Sequence, residues 1–83
     1  MKFTKKSDYG LRLVTYLASK VSEGPISTRR IAEVEKIPVK FLATIVNDLR
    51  KAGYIESVAG LHGGIHLLIS PTRITCLEII ESL

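Results

Sequence analysis

The side chains of this sequence best suited to recognise a ligand share one face of a predicted helix over residues 38–52. At about 100° per residue, short polar and positive side chains line this face, and they are Lys40, Thr44, Asn47 and Lys51. Lysine binds phosphate or the O6 and N7 atoms of guanine, asparagine pairs with adenine, and threonine contacts phosphate or a thymine methyl group. Asp48 lies at the flank of the face, and no acid lies at its centre. The face is a candidate surface for the major groove of DNA, although any solvated helix face can carry the same residue types.

A glycine-rich loop over residues 59–64 is a second candidate contact with nucleic acid. The loop has no acidic residue and carries His62, so its tip can approach a phosphate backbone or enter a minor groove. The same glycines also suit a plain β-turn, in which they serve only the backbone geometry. The two interpretations are compatible.

The start of a predicted second helix is a third candidate, for binding phosphate. Ser27, Thr28 and the free backbone N–H groups of the first turn can hold a phosphate group. Arg29 and Arg30 follow directly. Contacts there would set the register of the protein on DNA without reading its sequence. Ser27 can equally serve only as the N-cap of the helix.

The sequence does not predict an enzyme or a metal site. No serine or cysteine is spaced from a histidine and an acid as in known catalytic triads, and the glycines do not precede a helix as a nucleotide-binding loop requires. His62 and His66 have no carboxylate or thiol beside them in the sequence, whereas a metal site needs at least three ligands. Cys76 is a single thiol, too few for an iron–sulfur cluster, and we interpret it as a small buried apolar residue. We therefore expect no cofactor.

Length and charge indicate one small domain with a polyanionic partner. Eighty-three residues leave room for one hydrophobic core, and 12 Lys and Arg against 8 Asp and Glu give a net charge of +4. That excess attracts polyanions through long-range electrostatics and counterion release, although many basic domains bind nothing acidic. The expected partner is double-stranded DNA, and no membrane association is expected. The single cysteine excludes a disulfide within the chain, and neither a signal peptide nor a long apolar run is present. We expect a protein of the reducing cytoplasm.

Periodic apolar residues predict a first helix over about residues 4–21. Either Thr4 or Ser7 can cap its start, because both hydroxyls can accept a hydrogen bond from a free backbone N–H. A loop containing glycine and proline follows over residues 22–25. The apolar stripe of the helix consists of Gly10, Leu13, Val14, Leu17, Ala18 and Val21.

The next two predicted helices form a helix-turn-helix. Ser27 caps a short helix over about residues 28–35. After a tight connection, Pro38 suits the first position of a third helix, and Gly53 ends that helix in the left-handed conformation. Two helices joined by about three residues have the outline of the DNA-binding motif. The inward-facing residues are Ile31 and Ala32 on the second helix and Leu42, Ile45, Leu49 and Ala52 on the third.

The remaining residues predict a β-hairpin and the start of a fourth helix. Two short apolar runs, over residues 54–58 and 65–69, flank the glycine-rich loop. Thr75 and Glu78 form a capping box for the fourth helix, and its apolar face would comprise Ile74, Leu77 and Ile80. The predicted fold class is mainly α with a small β-hairpin, a winged helix-turn-helix over residues 1–83. It has a three-helix core, a two-stranded wing and the start of a fourth helix.

Over its whole length the chain resembles the Rrf2 family of winged helix-turn-helix regulators. That family includes an iron–sulfur cluster regulator, a nitric-oxide-sensitive repressor and a cysteine-metabolism repressor. No single motif is diagnostic, but the order and spacing of the motifs together are specific. They are Tyr9-Gly10-Leu11-Arg12, Gly24-Pro25-Ile26-Ser27, Ile31-Ala32-Glu33, Ile37-Pro38-Val39-Lys40-Phe41-Leu42, Leu49-Arg50-Lys51-Ala52-Gly53 and Ile74-Thr75-Cys76-Leu77-Glu78.

The resemblance implies a dimeric transcriptional regulator, by analogy a repressor, that binds a palindromic operator. The third helix would enter the major groove and the wing the flanking minor groove. By position, the base-reading surface would include Lys40, Ala43 and Thr44, and the wing tip would consist of Ala59, Gly60, Leu61 and His62.

Two departures from the family pattern matter. Relatives usually carry an arginine at the position of Ala59 and an aromatic residue at that of Ile65, so we expect weaker or different recognition of the minor groove here. Relatives also continue past the fourth helix into a sensing loop, often with three cysteines, and then into a long dimerisation helix. The present sequence ends at Leu83, before those positions.

The alternative function is a winged-helix protein-interaction module whose basic face is merely solvated. Its working surface would be the apolar stripe of the first helix together with the fourth helix. Exposed apolar surface on these two helices is also one reason to expect a homodimer. The other is that paired DNA half-sites need two helix-turn-helix units.

Overall fold

A computed structural model of the chain describes residues 4–68 and 76–83, without the side chains of Cys76, Leu77 and Ile80. The described residues form helices and one two-stranded antiparallel sheet, as the sequence predicts. In chain order the elements are α1 (Lys5–Ser19), a 3-10 turn (Val21–Glu23), α2 (Thr28–Glu35), α3 (Val39–Lys51), β1 (Ile55–Val58), β2 (Gly64–Leu67) and α4 (Cys76–Glu81). The architecture is the predicted helix-turn-helix core with a two-stranded wing and a short fourth helix.

The first helix begins where the sequence predicts and ends earlier. Thr4, not Ser7, is the N-cap, since its Oγ1 accepts a hydrogen bond of 3.0 Å from the backbone N–H of Ser7. The N–H of Lys20 bonds to the carbonyl of Leu17 and closes the last turn of α1, and the N–H of Glu23 then bonds to the carbonyl of Lys20 in a separate 3-10 turn. Val21 therefore leaves the apolar stripe, and 59% of its surface is exposed. The prediction that it packs with α1 is wrong.

The second helix has the predicted bounds and cap. The hydroxyl of Ser27 accepts a hydrogen bond of 3.2 Å from the N–H of Arg30. Lys36 ends the helix in the left-handed conformation, with φ 54°. The chain then turns so that Ile37 is buried in the core. The connection between the two helices is thus as tight as predicted.

The third helix differs from the prediction by one residue at each end. Pro38 is its N-cap rather than its first helical residue, because its ψ of 131° is extended although its fixed φ also suits a helix. Ala52 is the C-cap and is exposed, so it does not belong to the apolar stripe. Val46 is buried on that side of the helix. Gly53 follows with φ 87°, which confirms the predicted left-handed end.

The hydrophobic core lies between the three helices, the wing and α4. Large side chains from all of these elements are less than 2% exposed, namely Leu13, Ile31, Leu42, Ile45, Leu49, Ile55 and Ile79. Ile79 was not in the predicted apolar face of the fourth helix. That predicted face (Ile74, Leu77 and Ile80), the Thr75 cap and the burial of Cys76 all lie outside what is described.

The exposed apolar faces expected on α1 and α4 do not appear among the described side chains. The strongly exposed large apolar residues lie elsewhere, and they are Val21, Val34, Val39, Phe41, Val58, Leu61 and Leu68. On α1, Leu11 and Tyr16 are partly buried against the core, as is Leu83 after α4. The described surface of these helices therefore gives no support to either a dimer or a protein-docking face.

The wing is shorter than predicted and is joined to the start of α2. Its strands pair antiparallel, with Ser57 opposite Ile65, and neither Tyr54 nor Leu68 belongs to them. Ile65 also exchanges two backbone hydrogen bonds, of 3.0 and 2.9 Å, with Ile26. Since Ile26 directly precedes the cap of α2, the wing and the α2 N-terminus are held together by backbone contacts.

Candidate nucleic-acid interface

The polar face of α3 points away from the core. Lys40, Ala43, Thr44 and Lys51 are exposed and Asn47 is half-buried, while Leu42, Ile45 and Leu49 on the other side are fully buried. The helix therefore anchors itself with one side and presents the predicted face to solvent. Among the described residues, neither Lys40 nor Lys51 forms an ion pair, so both charges are available to phosphate or guanine.

Two of the polar groups on this face already have partners within α3. The Thr44 hydroxyl donates to the carbonyl oxygen of Lys40 at 3.3 Å, which leaves the hydroxyl oxygen and the methyl group for an external contact. Arg50 donates through Nη2 to Oδ1 of Asn47 at 2.7 Å. Since adenine recognition by Asn47 uses the same Oδ1 atom, Asn47 must share it with Arg50 or release Arg50 when it binds a base.

The one acid at the flank of the face is neutralised from another helix. Lys6, on the first turn of α1, forms an ion pair with the Asp48 carboxylate, and both side chains are about 30% exposed. The sequence placed Asp48 at the flank but gave no sign of its partner, because forty-odd residues separate the two. The pair removes the negative charge that would repel a phosphate backbone beside the polar face.

Not every basic residue contributes to a DNA-facing charge. Arg12 donates to Oδ2 of Asp8 at 2.8 Å and to the backbone carbonyl of Glu35 at 3.2 Å. The guanidinium also lies 5.2 Å from the ring centroid of Tyr9, and the hydrogen bond with Asp8 raises the pKa of Arg12. Arg12 therefore fixes α1 against the end of α2, and its charge is balanced by Asp8 of the same chain.

The α2 N-terminus carries the predicted phosphate-binding groups. Thr28 is half-buried, while Arg29 and Arg30 are exposed and form no ion pair within the described residues. The Ser27 hydroxyl is engaged as the cap, so the safer interpretation of Ser27 is confirmed. In the sequence the two arginines come three and four residues after Ile26, which bridges to Ile65 near the loop end of the wing strands.

The wing tip is a tight turn made of exposed residues. The N–H of Gly63 bonds to the carbonyl of Gly60 at 3.1 Å, which makes Leu61 and His62 the two central residues of the turn. Gly60 has φ 109°, a conformation suited to glycine. The predicted tip residues Ala59, Gly60, Leu61 and His62 are all exposed.

The second histidine has a carboxylate partner that its sequence neighbours did not reveal. His66 lies opposite Glu56 in the sheet, and its Nε2 is 3.1 Å from Oε1 of Glu56. No carboxylate lies beside His66 in the sequence, but the pairing of the two strands brings Glu56 to it. The two residues still fall short of a metal site, and no group of three or more His, Cys, Asp or Glu in residues 4–68 and 76–83 could hold a metal ion.

Comparison with known proteins gives consistent results. The model of the Rrf2 family, described as an iron-dependent transcriptional regulator, matches residues 3–83. The protein rrf2 of Nitratidesulfovibrio vulgaris is 46% identical over 67 residues, which are 81% of this chain and 45% of that protein. The HTH-type transcriptional regulator CymR of Bacillus subtilis is 39% identical over 83 residues, which are 100% of this chain and 60% of that protein.

The solved structures agree with the sequence matches. The structure of IscR from T. potens superposes with a TM-score of 0.93 at 36% identity, covering 100% of this chain and 61% of that one. The chain spans about half the length of the curated relatives it matches. None of the helices in the described residues is long and apolar enough to cross a membrane.

Proposed function

Because this chain belongs to the Rrf2 family of transcriptional regulators, we propose that it is a sequence-specific DNA-binding regulator rather than an enzyme. In this proposal it acts as a repressor in the cytoplasm, as a homodimer on a palindromic operator. The observation that carries the proposal is the exposed polar face of α3, on the second helix of a helix-turn-helix, with Lys40 and Lys51 unpaired among the described residues.

Each exposed element has its own contact with the duplex. The polar face of α3 enters the major groove, where Lys40, Ala43 and Thr44 reach base edges and Asn47 and Lys51 extend the contact. The α2 N-terminus, with Thr28 and Arg29, binds a phosphate that fixes the register. The wing tip lies over the adjacent minor groove. The backbone bridge between Ile26 and Ile65 holds the wing in a fixed position relative to the α2 N-terminus, so the contacts of these two elements with DNA are set together.

The dimer follows from the DNA rather than from an apolar surface of the described residues. A single α3 reads only a few base pairs, so a helix-turn-helix protein gains specificity by pairing two units on half-sites about 34 Å apart.

The residues described here do not fit an iron site. The family description refers to iron, but the sequence has one cysteine, and the residues described contain no cluster of metal-ligating side chains. No step of the proposed DNA binding passes through a metal.

The polar face can be tested by removing two of its side chains. A duplex is first selected from a random-sequence pool by the protein, and binding is followed by fluorescence anisotropy. We expect Lys40→Ala/Thr44→Ala to weaken binding to the selected duplex about 30-fold or more, while binding to a scrambled duplex falls only severalfold. Affinity should also fall steeply with salt.

Lys20→Ala is the matched control, since it removes one positive charge from a lysine that pairs with Glu23 at the far end of α1. It should bind both duplexes like the wild type. If the double variant also binds both like the wild type, α3 does not read DNA, and the protein-interaction alternative takes its place.

A further inference from the structure

The most exposed large apolar side chain among the described residues lies at the tip of the wing. Leu61 is 94% exposed, whereas the next most exposed, Val39, is at 61%. A single exposed leucine is common on protein surfaces. The position of this one is unusual, because it is a central residue of the turn that joins β1 and β2.

The turn holds Leu61 in a defined place. The hydrogen bond from Gly63 to Gly60 closes the turn at 3.1 Å. Gly63 lies so close to the preceding strand that a Cβ there would collide with the carbonyl oxygen of Val58. A side chain cannot be added on this side without moving the backbone, so the tip stays narrow, and its only large side chains are those of Leu61 and His62.

The tip also lacks the charge that would repel DNA. Residues 57–64 contain no acid, and the side chain of Glu56, the nearest carboxylate in the strand, is held in a hydrogen bond with His66 across the sheet. Arg29 and Arg30 follow Ile26 in the sequence, and Ile26 bridges to Ile65 near the loop end of the wing strands. A narrow, acid-free tip fits a minor groove about 6 Å wide.

We propose that Leu61 is an apolar wedge that inserts between two base pairs from the minor groove and bends the operator at that step. This inference rests on the proposed function, since it requires the wing to lie on DNA. Partial unstacking by an inserted leucine bends a duplex away from the inserted side. Specificity then includes a preference for an easily unstacked pyrimidine–purine step under the wing, which no hydrogen bond reads.

A duplex fits Leu61 better than a protein partner does. Stable protein interfaces bury about 800 Å² on each side. The neighbours of Leu61 at the tip are Ala59, Gly60, His62 and Gly63, and Val58 on the preceding strand is only 38% exposed, so the apolar surface around Leu61 is small. A base step accepts one apolar side chain and needs no surrounding patch. The isolation of Leu61, unfavourable for protein docking, is what a wedge requires.

The test measures binding and bending on the same duplex. The probe is the duplex selected by the protein from a random pool, labelled at its ends for energy transfer and carrying 2-aminopurine at the step under the wing. Wild-type protein should shorten the end-to-end distance and raise the 2-aminopurine fluorescence. Leu61→Ala should lose both signals and bind about tenfold more weakly, while Leu61→Met should retain both.

Two further variants separate a wedge from a simple phosphate contact. Leu61→Lys should lose the bend even though it adds a positive charge, whereas a tip that only touches phosphate would bind more tightly with that lysine. Val21→Ala is the control, because it shortens another exposed apolar side chain outside the wing. It should bend the duplex like the wild type.

The outcomes distinguish the two proposals. Specific binding without a bend, unchanged in Leu61→Ala, overturns the wedge and leaves the proposed function intact. Failure of the wild-type protein to select any duplex overturns both. A loss of binding to a protein partner in Leu61→Ala, with DNA binding and bending unchanged, would assign the leucine to a protein contact instead.

Discussion

At the scale of single residues, DNA binding depends on which basic side chains already form an ion pair within the protein. The sequence shows an excess of basic residues in α1 and near the start of α2, but the structure divides them into two groups. Arg12 and Lys6 are paired with Asp8 and Asp48. Arg29, in contrast, forms no ion pair among the described residues. On α1, Lys5 likewise forms no ion pair among the described residues, so the charge available to DNA lies on α3, at the α2 N-terminus and at the start of α1.

The Lys6–Asp48 pair should affect DNA affinity, because it balances the negative charge at the edge of the α3 face. Lys6→Ala should weaken DNA binding about three- to tenfold at low salt, because it leaves the Asp48 carboxylate facing the phosphates. Lys6→Ala/Asp48→Asn should recover most of that loss. Anisotropy titrations at two salt concentrations measure both effects, and the difference should shrink at high salt.

The stability of the variants provides the control for this prediction. Because both side chains are about 30% exposed, removing the pair should cost less than about 1 kcal/mol of unfolding free energy. Equal DNA affinity in the single and double variants would show that the Asp48 charge does not reach the duplex.

At the scale of elements, the position of the wing depends on a close backbone approach. Gly64 has φ 151°, and a Cβ there would overlap the carbonyl group of Ile26. The chain can therefore make the Ile26–Ile65 bridge only with a glycine at this point. Through that bridge the wing, and with it Leu61, is fixed relative to α2.

Gly64→Ala tests this role of the backbone. The substitution should lower the free energy of unfolding by about 2 kcal/mol or more, because the added carbon must displace the Ile26 backbone. Gly60→Ala is the matched control, since Gly60 also has a positive φ, of 109°, but no atom lies within 4 Å of the added carbon. Urea denaturation measures the free energy of unfolding of both variants, and an unchanged m-value shows that only stability differs. If both variants lose the same stability, the steric contact with Ile26 has no role.

The positions of the helices could be predicted from the sequence more accurately than their ends. Caps and breakers located the helices well, because Thr4, Ser27 and Gly53 act through local hydrogen bonds and backbone conformation. The errors at Val21 and Ala52 arose at helix ends, where an apolar residue continues the periodic pattern after the helix has stopped.

The polar face of α3 could be predicted for the same local reason, since the period of one helix defines it. The Lys6–Asp48 pair and the Glu56–His66 pair could not, because they depend on tertiary packing and strand register. Asn47 and Arg50, which form a hydrogen bond, are three residues apart on one helix, a spacing that can be recognised in the sequence. It was missed because Arg50 lies off the centre of the polar face.

At the scale of the whole molecule, the proposed regulator must place two α3 helices on one duplex. We expect a probe with two half-sites about 34 Å apart to bind two copies of the protein cooperatively. Inserting five base pairs between the half-sites should abolish the cooperativity, because it rotates one half-site by about half a turn to the far side of the helix. Sedimentation of the complex counts the copies, and independent binding at every spacing would contradict a dimer on a palindrome.

DNA binding by the polar face of α3 is tested most directly by an amide-resolved NMR titration of the protein with the selected duplex. We expect the largest shifts at Lys40, Thr44 and Asn47 and at the wing tip, on Leu61 and His62. The exposed side of α1 should be unaffected, for example at Thr15. Shifts confined to α1 and α4, with the polar face of α3 unchanged, would contradict the account.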